Sequence, residues 1–158
     1  ANGLEIEDFF RDSRQGRRYY GAVFSKDSWH PEEMLESDGT WTLEPNTVFN
    51  IHFEPQFNVL NEILSIFLHY EVNPYETAAW VNDHIPNEQY NVYLARRSKF
   101  AELLSKTGIS GWVFGGGRNQ IAKVQLDFQK SSLINAKRII EGIFFETTQA
   151  IDHALSQL

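Results

Sequence analysis

A histidine followed two residues later by a glutamate occurs three times, as His30-Pro31-Glu32, His52-Phe53-Glu54 and His69-Tyr70-Glu71. Imidazole and carboxylate are common nitrogen and oxygen ligands of first-row metals, and they are the usual partners in proton transfer. Local geometry decides whether such a pair can converge. On a strand, residues two apart project from the same face, so His52 and Glu54 can share an ion or a proton. On a helix, residues two apart point about 200° away from each other, and the periodicity around His69 and Glu71 predicts a helix. No His-Glu-x-x-His spacing is present and the chain has no cysteine, so no longer ligand pattern supports a metal. Neither a metal ion nor a cofactor is therefore expected. His52 and Glu54 remain the candidate pair of an enzyme or small-ligand-binding domain whose aromatic residues line a pocket.

The second feature is a stretch of one charge sign. Between Asp27 and Glu54 stand Asp27, Glu32, Glu33, Glu36, Asp38, Glu44 and Glu54, with no lysine or arginine after Asp27 and with Trp29 and Trp41 interleaved. Tryptophan is enriched at binding hot spots, and charge complementarity steers encounter. Trp29, Glu32, Glu33, Glu36, Asp38, Trp41 and Glu44 are therefore expected to engage a basic protein partner, and this non-enzymatic binding role is the leading expectation. The stretch is part of a wider asymmetry. Residues 1–95 carry 16 acids against 5 bases, and residues 96–158 carry 5 acids against 9 bases, within a net charge of −7. A net negative chain repels nucleic-acid phosphates, so nucleic acid is disfavoured as a partner. Gly115-Gly116-Gly117-Arg118 offers bare amides to an oxyanion, but phosphate loops join a strand to a helix. Here the glycines join two predicted strands and read as a hairpin loop.

The elements that must position these residues follow from hydrophobic period and punctuation. Leu4–Gln15 is expected to be a helix ending at Gly16, and Arg17–Ser25 a strand. Thr40–Glu44 and Thr47–Glu54 are expected to form a hairpin, with Phe49, Ile51 and Phe53 on one face and Asn50, His52 and Glu54 on the other. Leu60, Ile63, Leu64, Phe67 and Leu68 recur at three- and four-residue spacing, which predicts a helix over Asn58–Glu71. Asn73-Pro74-Tyr75-Glu76 has the form of a helix start. Tyr90–Ala95 is expected to be a strand, Arg96–Lys106 a helix, and Gly111–Phe114 with Ile121–Gln129 a second hairpin. Ser132–Leu158 closes the chain as its longest helix. The fold class expected is α+β: an antiparallel sheet built from two hairpins, helices on one face, and a long C-terminal helix.

On that last helix Ile134 and Phe145 lie far from the apolar stripe, beside Arg138 and Gly142. A glycine inside an exposed helix costs about 1 kcal/mol relative to alanine, so Ile134, Arg138, Gly142 and Phe145 are expected to form a self-association face for a homodimer. The length of 158 residues suits one domain. The chain starts Ala-Asn-Gly with no initiator methionine, as would a processed chain, a tagged and trimmed one, or a domain excised from a longer protein. No run approaches the ~20 apolar residues of a membrane span, and no signal-peptide pattern is present. Together with the absence of cysteine, this sets a cytoplasmic expectation. In element order and acidic balance the chain resembles small bacterial partner-binding proteins, such as secretion chaperones and toxin-neutralising immunity proteins. The resemblance is at the level of fold and implies binding of a protein partner.

Overall fold

The computed structural model describes residues 4–12, 19–29, 50–71, 87–116, 119–129 and 133–158. The elements are β1 (Glu5–Asp12), β2 (Tyr19–Ser25), a 3-10 turn at Asp27–Trp29, β3 (Asn50–Asn58), β4 (Ile63–Glu71), α1 (Asn87–Ser105), β5 (Val113–Phe114), β6 (Gln120–Asp127) and α2 (Leu133–Leu155). Among the described residues all strand pairs are antiparallel, in the order β1-β2-β3-β4-β6-β5. Five strands are seven to nine residues long and β5 has two. The class is α+β with a long C-terminal helix, as expected.

Three expected elements differ in type. The segment expected as a first helix is β1, whose backbone pairs with β2 from Glu5↔Ser25 to Asp12↔Tyr19 with a shift between Ile6 and Asp8. Pairing with a neighbour overrides a weak local preference there. The segment expected as a helix over Asn58–Glu71 is a turn followed by β4. Asn58 Oδ1 accepts the Leu60 N–H at 3.0 Å, the side-chain turn that asparagine favours. Glu62 then adopts φ +54° and reverses the chain. Beyond the turn, Leu64, Ile66, Leu68 and Tyr70 alternate with Ser65, Phe67, His69 and Glu71. Finally, Tyr90–Ala95 is helical and belongs to α1. Its alternation comes from exposed Val92 and Leu94, while Tyr93, Phe100 and Leu104 form the buried stripe at helical spacing.

The first expected hairpin also changes. Thr40–Glu44 lies outside the described residues, as does the helix expected after Asn73. β3 starts at Asn50, and its partner across a short turn is β4. The second hairpin is present as β5 and β6, joined near Gly115 and Gly116 at φ +100° and +138°; Gly117 and Arg118 lie outside the described residues.

β3 sits between β2 and β4. Its pairing with β4 is continuous from Asn50↔Glu71 to Asn58↔Ile63. Its pairing with β2 skips Ala22 and Val23, opposite Glu54 and Pro55, where proline has no N–H to donate. Ile51 and Phe53 of β3, with Ile66, Leu68 and Tyr70 of β4 and Ala122 and Val124 of β6, are buried in one core with Phe100, Leu104, Ala150, Ile151 and Ala154 of the helices. Phe144 meets Phe53 at 4.9 Å and Phe24 at 5.8 Å between ring centres, and Phe100 meets Tyr70 at 5.6 Å. Aromatic edges and faces of this kind contribute beyond their buried area.

Candidate metal centre

The other set of side chains on β3 and β4 is mostly polar, with Ile63 and Phe67 the apolar members on β4. Because the register pairs His52 with His69 and Asn50 with Glu71, side chains at 52, 54, 69 and 71 leave one face of two adjacent strands. His52 Nε2 lies 4.0 Å from Glu54 Oε2. His69 Nδ1 lies 3.2 Å from Glu54 Oε2 and 3.2 Å from Glu71 Oε1. One ligand atom from each residue falls within 4.8 Å of the others. His52 and Glu71 are buried, and Glu54 and His69 are largely so. The two expected site residues therefore converge, and the structure adds His69 and Glu71. On a helix that second pair would diverge; on β4 it converges.

Neighbouring groups hold the ligands in place. Gln56 Nε2 donates to Glu54 Oε1 at 2.5 Å, which leaves Oε2 toward the two imidazoles. Ligating carboxylates are commonly oriented by such an outer partner. The rings of His52 and His69 stand edge to face, 5.2 Å between centres. The pairing of β4 with β6 shifts register between Leu68 and His69, and irregularities of this type re-aim side chains. Arg97, on α1, fastens this stretch. Its Nη2 donates to Gln120 O at 3.0 Å and its Nε to Tyr70 O at 3.3 Å, while Tyr70 N donates to Asn119 O at 3.0 Å. Arg97 carries no sequence signal for this role, since the contact joins residues 23 and 27 positions away.

Burial alone pulls the His69 imidazole toward its neutral form, but the two carboxylates outweigh it and raise the group to about 9. Burial likewise pushes the Glu54 carboxyl up, yet His69, Gln56 and His52 hold it below its ordinary value. His69 Nδ1 lies equally close to one oxygen of each carboxylate, at 3.2 Å, without meeting ideal hydrogen-bond geometry to either. A protonated His69 balances one of two carboxylate charges. Among the described residues no lysine or arginine pairs with Glu54 or Glu71. Buried charge without a counter-charge is costly.

The geometry suits a cation. Zinc bonds near 2.0–2.1 Å place tetrahedral ligand atoms about 3.3 Å apart, and the two His69 separations of 3.2 Å are close to that. The His52–Glu54 separation of 4.0 Å is wider, and all four ligand atoms lie within 4.8 Å of one another.

The other expected site residues are placed as follows. Trp29 is 2% exposed, packs edge-on against Phe53, and donates its indole N–H to Asp152 Oδ1 at 2.7 Å. It is a core residue and offers no exposed anchor. Glu32, Glu33, Glu36, Asp38, Trp41 and Glu44 lie outside the described residues. Ile134 and Phe145 are exposed, as are Arg138 and its neighbours, and Gly142 is half-buried. No helix among the described residues is long and apolar enough to cross a membrane. No protein-family model matches the chain, and comparison with curated proteins and with solved structures found no significant match to either.

Proposed function

We propose that the protein is a divalent-metal-binding domain, with one first-row transition ion held by His52, Glu54, His69 and Glu71. One observation carries the reading: four ligand atoms of the right chemistry, from adjacent strands, gathered within 4.8 Å on a largely buried patch. Two imidazoles and two carboxylates form a mixed nitrogen–oxygen set suited to Zn²⁺, Fe²⁺ or Mn²⁺. Ca²⁺ and Mg²⁺ favour all-oxygen spheres. Charge balance supports the same reading. A divalent ion taking the place of the His69 proton makes two carboxylates, two neutral imidazoles and the ion neutral as a group.

The test is titration of chelator-treated protein with Zn²⁺ by calorimetry, and with Co²⁺ by its visible spectrum. One ion per chain is expected, not displaced by excess Mg²⁺. His52→Gln, Glu54→Gln, His69→Gln and Glu71→Gln should each weaken Zn²⁺ binding by about tenfold or more, with the fold retained by circular dichroism. Failure to bind Zn²⁺ and Co²⁺, or unchanged affinity in all four variants, overturns the reading.

A further inference from the structure

The outer face of α2 is exposed and mixes charged, amide and apolar side chains around a glycine. At 100° per residue, the positions within about 60° of Gly142 include Asn135, Arg138, Ile139, Phe145, Glu146 and Gln149. All six are exposed, with Ile139 at 43% and Phe145 at 50%. Among the described residues, a Cβ built on Gly142 meets nothing within 4 Å. Their contacts therefore do not require glycine there, although its place in the middle of a helix costs about 1 kcal/mol relative to alanine. Close approach of a second backbone supplies the missing reason.

We infer that two copies of the chain associate through antiparallel α2 helices crossing at Gly142. A two-fold axis at that residue sets position 142 − k of one helix against 142 + k of its mate, the isologous arrangement of a symmetric dimer. Arg138 then faces Glu146, Ile139 faces Phe145, and Asn135 faces Gln149. Each pair joins opposite charge, apolar with apolar, or amide with amide. The reverse, parallel arrangement would set Arg138 against Arg138 and Glu146 against Glu146, which charge disfavours. Ile134 lies two turns from the crossing and borders the contact. Within the chain Lys137 pairs with Glu141 at 3.7 Å, on the flank of this face, which leaves the Arg138–Glu146 match across the axis. A single helix pair covers less than a standard interface, so the association belongs to the weak, reversible class.

This inference is independent of the metal site, and its test reads mass alone. Sedimentation equilibrium of the wild-type chain over a micromolar to millimolar range should show a monomer–dimer equilibrium. Arg138→Glu and Glu146→Arg each place like charges together twice per dimer, and each should raise the dissociation constant at least about tenfold. The double variant R138E/E146R should return it to within about threefold of wild type. All three changes are on solvent-exposed positions, so folding is not at stake. A monomer throughout the range, or a double variant no tighter than the single ones, overturns the inference.

Discussion

Metal-free protein should lose stability as pH rises through the neutral and mildly alkaline range, and His69 should be the cause. Its imidazole is raised from 6.5 to about 9 by Glu54 and Glu71 acting against burial. A folded-state value above the unfolded one means that the folded chain holds the proton more tightly. The stabilisation is complete below pH 6.5, where both states are protonated. It declines as the unfolded chain becomes neutral and is gone once pH passes about 9. The difference of roughly 2.5 units, at 1.36 kcal/mol each, corresponds to about 3 kcal/mol. The His69 side chain is only 15% exposed, so solvent screening removes little of this. Such a change is a large share of the ~5–15 kcal/mol that holds a typical domain together.

Urea unfolding in a chelator, followed by the fluorescence of buried Trp29 and Trp112, measures the change directly. Between pH 6 and 9.5 the wild-type free energy should fall by about 3 kcal/mol, and His69→Gln should remove most of the slope. With saturating Zn²⁺ the wild-type slope should flatten or reverse, because the ion replaces the proton and binds better as the proton leaves. A flat wild-type profile, or an equal fall in His69→Gln, would refute the placement of a shared proton between Glu54 and Glu71. Glu54 acts at the other end of the scale. Its lowered carboxyl contributes stability above the unfolded value and loses it as pH falls through the folded one.

Three further changes probe the supports around the site. Arg97→Met removes a donor from two carbonyls without touching a ligand; it should cost about 1–3 kcal/mol in urea unfolding and weaken Zn²⁺ binding severalfold, whereas unchanged affinity would deny Arg97 a positioning role. Asp152→Ala removes the acceptor of the Trp29 indole and the partner of Lys26 at 2.7 Å. The stranded, buried indole N–H should dominate a loss of about 1–3 kcal/mol, and Lys26→Met should cost clearly less. Gly116→Ala imposes a side chain at φ +138° against Gln120, whose amide donates to Gly115 O at 2.6 Å; melting should show a loss of about 1–3 kcal/mol, and a neutral outcome would mean the loop has another conformation within easy reach.

How much of this was legible in the sequence turns on a few residues. The closing helix, β2 and the hairpin of β5 with β6 were readable because their periodicity is unbroken and glycines mark the reversal. His52 and Glu54 were readable because Ile51 and Phe53 alternate cleanly with them. Three apolar residues in polar places give β4 and its turn the look of a helix. Val59 and Leu60 are exposed in the turn, and Phe67 projects from the polar face. With Ile63, Leu64 and Leu68 they mimic helical spacing, although Leu64, Ile66, Leu68 and Tyr70 already alternate. Asn58, the first residue of the expected helix, instead builds the turn.

That one error of period concealed half of the candidate site. A helix separates His69 from Glu71 by about 200°, while a strand puts both on one side. Only pairing then decides whether they meet His52 and Glu54. The register His52↔His69 achieves this, and a slip by one residue would send His69 and Glu71 into the apolar core and Leu68 and Tyr70 out of it. The burial of Ile66, Leu68 and Tyr70 on the opposite side therefore fixes the ligand geometry as firmly as any contact among the ligands themselves. Placing a charge in that core offers a separate check on the argument. Leu68→Lys should abolish folding and Zn²⁺ binding together, whereas Ser65→Lys, on the polar side of the same strand and four residues from His69, should leave folding intact.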